Sequence, residues 1–147
     1  MELAPAHETD LPEVERLLIA AGLPLDGLRD QFPTGYVLAK GDDGALVGVA
    51  GLEAYGDAGL LRSVAVVDAA RSAGIGGALV TERLEHAAGR GMREVFLLTT
   101  TAADYFRKRG FRETTRASAP AALAASPEFA GACPASATCL VWQVNRP

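Results

Sequence analysis

At 147 residues, 49% apolar and 22% charged, the chain is long enough to bury one core, and it is expected to form a single domain over residues 1–147 rather than a disordered polymer. A net charge of −4 without a dense run of Lys or Arg argues against nucleic acid as a partner, and no apolar stretch approaches the length of a membrane span. No signal-peptide pattern opens the sequence, so a cytoplasmic location is expected, in which Cys133 and Cys139 stay reduced.

In chain order, Met1 to Ala6 reads as a short first strand. Thr9 or Asp10 then caps a helix with Pro12 and Glu13 in its first turn; Val14, Leu17, Leu18 and Ala21 recur at helical spacing, and Gly22 ends it. Asp26 to Phe32 reads as a second, short helix stopped by Pro33. Tyr36 to Lys40 and Ala45 to Glu53, joined by G-D-D-G, give a strong hairpin signal, and a third strand, Leu60 to Val67, follows a short turn to make a meander. A helix from about Gly74 carries Ile75, Leu79, Val80, Leu84, Ala87 and Ala88 on one stripe and ends at Gly89 or Gly91. Glu94 to Leu98 is an apolar strand, so strand, helix and strand form a right-handed crossover between parallel neighbours. Thr101, with Asp104 three residues on, caps a further helix that stops at Gly110. Phe111 to Thr115 and Thr138 to Val144 read as strands, with 116–136 mostly irregular between them. The sum is a mixed, mostly antiparallel α/β sheet flanked by helices, with a β-α-β unit at its centre.

That central unit carries the first chemical signal. An apolar strand runs into a polar corner, then Gly74, Gly76 and Gly77, then a helix. Glycine opens backbone angles closed to other residues, and the first amides of a helix have no partner inside it. Those amides, at the positive end of the helix dipole, form an anion site. Arg71 and Ser72 add a charge and a hydroxyl, so Arg71, Ser72, Ala73, Gly74, Ile75, Gly76, Gly77 and Ala78 are expected to cradle a pyrophosphate.

The segment Val64 to Leu79 resembles the acetyl-coenzyme A motif of the GNAT N-acetyltransferase superfamily, Arg/Gln-x-x-Gly-x-Gly/Ala, here Arg71 to Gly76. A second stretch, A-D-Y-F-R-K-R-G-F from Ala103 to Phe111, resembles that superfamily's fourth-helix signature ending in Lys-x-Gly-Phe. Both occur in the family's order and roughly its spacing. Leu60–Val66, Leu97–Ala102 and the tail S-P-E-F-A-G-A-C-P-A-S-A (Ser126–Ala137) further resemble arsenic-resistance N-acetyltransferases, and the tail is also similar to that of N-acetylglutamate synthase-like enzymes. These resemblances imply a GNAT fold, acetyl-CoA as co-substrate, and transfer of its acetyl group to the amine of a small amino-acid-like molecule. They also imply two central strands splayed around the pantetheine arm, backbone contacts to that arm from Val64 and Val66, and a homodimer.

For the chemistry, Glu53 at a strand end is the first choice of general base, set against a merely solvated carboxylate. The family's thiolate-protonating tyrosine falls on Phe106; Tyr105, one residue earlier, is turned about 100° away on a helix, and either it is recruited or water serves. Arg62 and Ser63 sit on opposite faces of the central strand. Arg62 reads either as a bidentate clamp for an acceptor carboxylate or as half of an internal ion pair with a carboxylate such as Glu53. Arg116 is a second substrate-binding choice. No metal site is read; an arsenite-binding role for the two cysteines competes with their packing as core residues. The phenylalanine at 106 also supports an alternative function, a non-catalytic acyl-CoA binding or sensing module.

Overall fold

The structure, a computed structural model, describes residues 1–70 and 73–144. Its strands are β1 (Glu2–Pro5), β2 (Tyr36–Lys40), β3 (Leu46–Tyr55), β4 (Ala58–Val66), β5 (Glu94–Thr99), β6 (Arg112–Thr114) and β7 (Thr138–Gln143). The α-helices are α1 (Leu11–Ala20), α2 (Leu28–Gln31), α3 (Ile75–Gly89) and α4 (Ala103–Arg107). The strands form one seven-stranded sheet in the order β1-β2-β3-β4-β5-β7-β6. Every neighbouring pair is antiparallel except β4 and β5, which α3 connects in parallel. The meander and the central β-α-β unit therefore stand as the sequence pattern implies.

Helices α3 and α4 cover one face of the sheet. Val80, Leu84 and Ala87 of α3 pack with Leu61, Val95, Leu97, Leu140 and Phe106, while Ile75 and Leu79 meet Val37, Ala39 and Ala50. Close approach is possible because Gly48 has no side chain: a Cβ there would lie 2.9 Å from Leu79 Cδ1. The expected stripe holds except at its end. Ala88 is exposed, and Arg83 is buried instead, with its guanidinium donating to the Gly35 carbonyl (3.0 Å) and to Glu82.

The opposite face is covered by α1, α2 and the segment between β6 and β7. Val14, Leu18 and Leu28 pack on Tyr36, Leu38, Val49 and Ala65. Leu123 inserts among Ala58, Leu60, Phe96 and Val141. That segment is more ordered than its Pro- and Ala-rich composition suggests, with 3₁₀ turns at Arg116–Ser118 and Ala121–Ala125 and a π-type turn at Glu128–Ala132. Burial of Leu123 alone favours this docking by roughly 2 kcal/mol. Thr101 does not cap α4: the cap position falls on Ala102, without a side-chain cap, and Thr99 Oγ1 braces the preceding turn by accepting from the amides of Thr101 (3.3 Å) and Ala102 (2.9 Å). No helix among the described residues is long and apolar enough to cross a membrane.

At Gly51 a Cβ would come within 2.3 Å of the ring of buried Tyr36, its partner across the β2–β3 pair. Gly51→Ala should therefore destabilise the fold by about 1–3 kcal/mol, the usual cost of overpacking. Equilibrium denaturation checks this, and an unchanged midpoint would show that the ring has room to move.

Candidate active site

Two irregularities in β4 create the site. Between the pairs Gly51↔Arg62 and Val49↔Ala65, two residues of β4, Ser63 and Val64, oppose the single residue Ala50. This is a β-bulge, and Ser63 adopts the left-handed φ of 58° that a serine rarely takes. The inserted residue resets the alternation along the strand, so that Leu61 and Val64, three apart, both pack on the α3 side. The second irregularity lies between β4 and β5, whose parallel pairing covers only Ala58↔Glu94, Gly59↔Val95 and Leu60↔Phe96. Beyond Leu60 the two strands part. A cleft of about 990 Å³ opens there, walled by Arg62 to Val66, Leu97 to Ala102, the start of α3, and residues 21–24. Its size suits a bound small molecule.

One end of the cleft is the start of α3. Gly74 caps the helix at φ 79°, and Gly74 to Gly77 line the wall. Ala78 is spent, because its amide already bonds the Gly74 carbonyl (3.1 Å). The donors free by helix geometry are those of the first turn before it. The wall is also bare of side chains: a Cβ at Gly76 would sit 3.6 Å from the Tyr105 hydroxyl and 3.7 Å from Val66 Cγ2, pointing into the cleft. A phosphate chain fits this cradle by charge and by room. Arg109, a residue the sequence pattern does not single out, adds a cation. Its guanidinium packs against Gly77 and lies 4.8 Å above the Tyr105 ring. Ala73 stands outside the lining, and Arg71 and Ser72, both expected in the cradle, lie outside the described residues.

Tyr105 does reach the cleft, 40% exposed and edge-on to Phe106, but its hydroxyl stands beside Gly76 and Val66 at the cradle. Phe106 is buried and packs edge-on to Phe111. It is therefore a core residue that also borders the cleft.

The other end is a buried charge cluster. The Arg62 side chain has no solvent exposure, and each of its three nitrogens is engaged. Nη1 donates to the Asp26 carbonyl (2.7 Å) and lies 3.7 Å from Glu53 Oε2; Nη2 donates to the Pro24 carbonyl (3.0 Å). Nε faces Ser63 Oγ (3.2 Å) and Glu128 Oε2 (3.4 Å). The internal ion pair weighed for Arg62 is thus present, and with two carboxylates rather than one. Glu53 is sealed from the cleft, accepting hydrogen bonds from the hydroxyls of Tyr36 (2.8 Å) and Tyr55 (3.0 Å), and it is not part of the cleft wall. Burial, then the charge of Glu53, holds the Tyr36 hydroxyl above its usual range and pushes Tyr55 to about 12.

Glu128 is the carboxylate that does line the cleft, although it is only 4% exposed. Burial raises its carboxyl above the ordinary range, against the pull of Arg62 and the lowering effect of the neighbouring Cys133 thiol. Cys133 lines the cleft too; burial, then the neighbouring Glu128, pushes its thiol up to about 11. Only one signal in the sequence could have found Glu128: it is the sole acidic residue after Glu113. Arg116 lies outside the cleft wall, its guanidinium donating to the Pro134 carbonyl. Cys139 belongs to β7 and packs with Leu60 and Phe96. Among the described residues, no group of three His, Cys, Asp or Glu is placed to hold a metal.

Arg62 carries a discriminating prediction. Arg62→Ala leaves two buried carboxylates uncompensated and should cost about 3–5 kcal/mol of stability by denaturant unfolding. A carboxylate clamp with no structural duty would instead leave stability unchanged and raise only the KM of the acceptor.

A model of the acetyltransferase (GNAT) domain family matches residues 33–113, more than half of the chain. Among curated proteins, none matches the chain. Among solved structures, N-acetylglutamate synthase from Neisseria gonorrhoeae, complexed with coenzyme A and N-acetyl-glutamate, superposes with a TM-score of 0.84 at 24% identity over 99% of this chain. The chain spans only about a third of that enzyme, 35% of its length. A Mycobacterium tuberculosis protein in complex with CoA gives 0.81 at 22% identity, covering 99% of this chain and 100% of its own. A GNAT-family acetyltransferase from Staphylococcus aureus Mu50 gives 0.81 at 16% identity over 98% and 99% of the two chains. These likenesses agree with the fold, and the domain match decides the family. The chain belongs to the GNAT acetyltransferases, the family whose co-substrate is acetyl-CoA.

Proposed function

We propose that this single domain is an acetyl-CoA-dependent N-acetyltransferase acting on a small-molecule amine. The observation that carries this is one continuous cleft joining the bare first turn of α3 to the gap where β4 and β5 part. In this reading the amides of Ile75, Gly76 and Gly77 hold the pyrophosphate, with Arg109 beside them. The backbone of Val64 and Val66 lines the pantetheine arm, and the bulge at Ser63 lies near the reacting carbonyl. Bound acetyl-CoA supplies an activated acyl group; the protein's part is to hold it, to orient the amine and to accept a proton. Holding two reactants in line supplies a large share of the rate by itself. That suits a site whose usual tyrosine position is the core residue Phe106.

An amino-acid-like acceptor, and with it a link to arsenic resistance, is the finer form of this proposal. It draws support from the tail resemblance, and from Arg116, whose charge acts on Glu128 and Cys133 from just outside the cleft wall. Two buried, unpaired thiols favour a reducing compartment such as the cytoplasm. A homodimer is expected from the family, and light scattering at assay concentration checks it. Phe106 also favours a second reading, an acyl-CoA sensor without turnover.

Calorimetric titration of acetyl-CoA tests the cradle. Gly76→Trp fills it from a position where the Cβ itself clashes with nothing. Affinity should fall by at least about tenfold, or about 1.4 kcal/mol, with stability changed by no more than about 0.5 kcal/mol. Equal affinity in the variant would remove the cradle assignment. Release of free thiol with any amine of a mixed panel, arsenic-bearing amino-acid analogues included, would eliminate the sensor reading.

A further inference from the structure

We propose that Glu128, carried into the cleft by the segment between β6 and β7, docks the ammonium group of the acceptor and takes its proton, so that the acceptor is a small cationic primary amine. This rests on the acetyltransferase reading above and puts a cationic amine in place of the amino-acid-like acceptor of its finer form.

The groups at this end settle the sign of the charge. One guanidinium, Arg62 of β4, faces two carboxylates, Glu53 of β3 and Glu128. Each nitrogen of Arg62 already bonds a protein acceptor and its side chain has no solvent exposure, so it is not presented to an acceptor carboxylate. Glu53 is closed off behind Tyr36 and Tyr55. That leaves Glu128 as the charged acceptor group on this wall, opposite residues 21–24 and beside the bulge at Ser63. Two further groups bear on it: the Cys133 thiol from its own turn, and Arg116, which acts at longer range.

Pinning supports the assignment. Pro127, the preceding residue, packs on Gly27 between α1 and α2, and the amide of Glu128 bonds Ser126 Oγ (3.2 Å). Leu123 fixes the segment in the core. A carboxylate held this firmly in a cleft is positioned to orient an amine as well as to receive a proton. Its burial supports the same role, since a carboxyl held above the ordinary range is a stronger base than a solvated one.

The step balances. The amine nitrogen forms a bond to the thioester carbonyl carbon as the carbon–sulfur bond breaks, and the sulfur leaves with the electron pair. An ammonium carries one proton more than the reacting amine, and the amine one more than the amide. Both protons leave by way of Glu128, one ending on the departing sulfur and the other in water.

The test compares wild type, Glu128→Gln and Glu128→Asp with a linear diamine and a zwitterionic amino acid as acceptors. Acetyl-CoA affinity and circular dichroism are measured on each. Wild type should prefer the diamine, with kcat/KM rising with pH through the Glu128 titration. Glu128→Gln should lose about 100-fold or more in kcat/KM and lose that rise, with acetyl-CoA affinity within about twofold; Glu128→Asp should restore part of the rate. A Glu128→Gln enzyme within threefold of wild type, or a wild type that favours the amino acid, overturns the assignment while leaving the acetyltransferase reading intact. A wild type that binds acetyl-CoA but releases no thiol with any amine overturns both. If Glu128→Gln does not fold, Cys133→Ala serves: without the thiol donor the acid limb should move to higher pH, and an unmoved limb overturns the assignment.

Discussion

A guanidinium cannot sit unpaired in the middle of a sheet, and at Arg62 the solution to that constraint organises the molecule. Its acceptors come from parts of the chain far apart in sequence: the carbonyls of Pro24 and Asp26 between α1 and α2, Glu53 from β3, Ser63 from the bulge, and Glu128 from the segment before β7. Tyr36 from β2 and Tyr55 at the end of β3 close the network around Glu53. A pair of this kind is not chiefly a source of stability, because desolvating three charges offsets most of their attraction. What it provides is position, since neither the α1–α2 connection nor the Glu128 turn can move without stranding a charge.

The same few residues of β4 carry the opening of the cleft. Up to Leu60 the strand pairs regularly on both sides; after it, β5 departs and the bulge inserts an extra residue toward β3. Ser63 holds the strained left-handed conformation where these changes meet, and Arg62 beside it is clamped. Strain of this kind persists where the surroundings over-determine the backbone, and it gathers at sites of ligand contact. The anchored guanidinium and the bulge therefore form one arrangement, in which the rigid cluster closes one end of the cleft.

The architecture was legible because it is written in short-range pattern. The G-D-D-G hairpin, the stripe from Ile75 to Ala87 and the Gly74–Gly77 turn each depend on residues close in sequence, and each appears where the pattern puts it. The acceptor end was not legible, because it depends on long-range approach. A lone glutamate in an Ala- and Pro-rich tail carries no periodic signal, yet it ends 3.4 Å from an arginine 66 positions earlier. Glu53 read as a general base or a solvated carboxylate at a strand end; it lies inside β3, and the hydroxyls of Tyr36, 17 positions earlier, and Tyr55 enclose it. Arg109, in the turn after α4, could not be told from Arg107 and Lys108 until its guanidinium was seen against Gly77.

The strand order has a consequence for how the protein comes off the ribosome. β7 lies between β5 and β6, and among the described residues β6 pairs with β7 alone. While the chain is being synthesised, β5 therefore keeps one open edge and β6 waits without a neighbour until Thr138–Gln143 has emerged. Such unsatisfied edges are where a nascent chain is open to mispairing. Glu128 lies in the stretch released just before β7, so Arg62 gains its second carboxylate at nearly the moment the sheet closes. Completion of the scaffold and assembly of its reactive end are thus late events that share a single trigger.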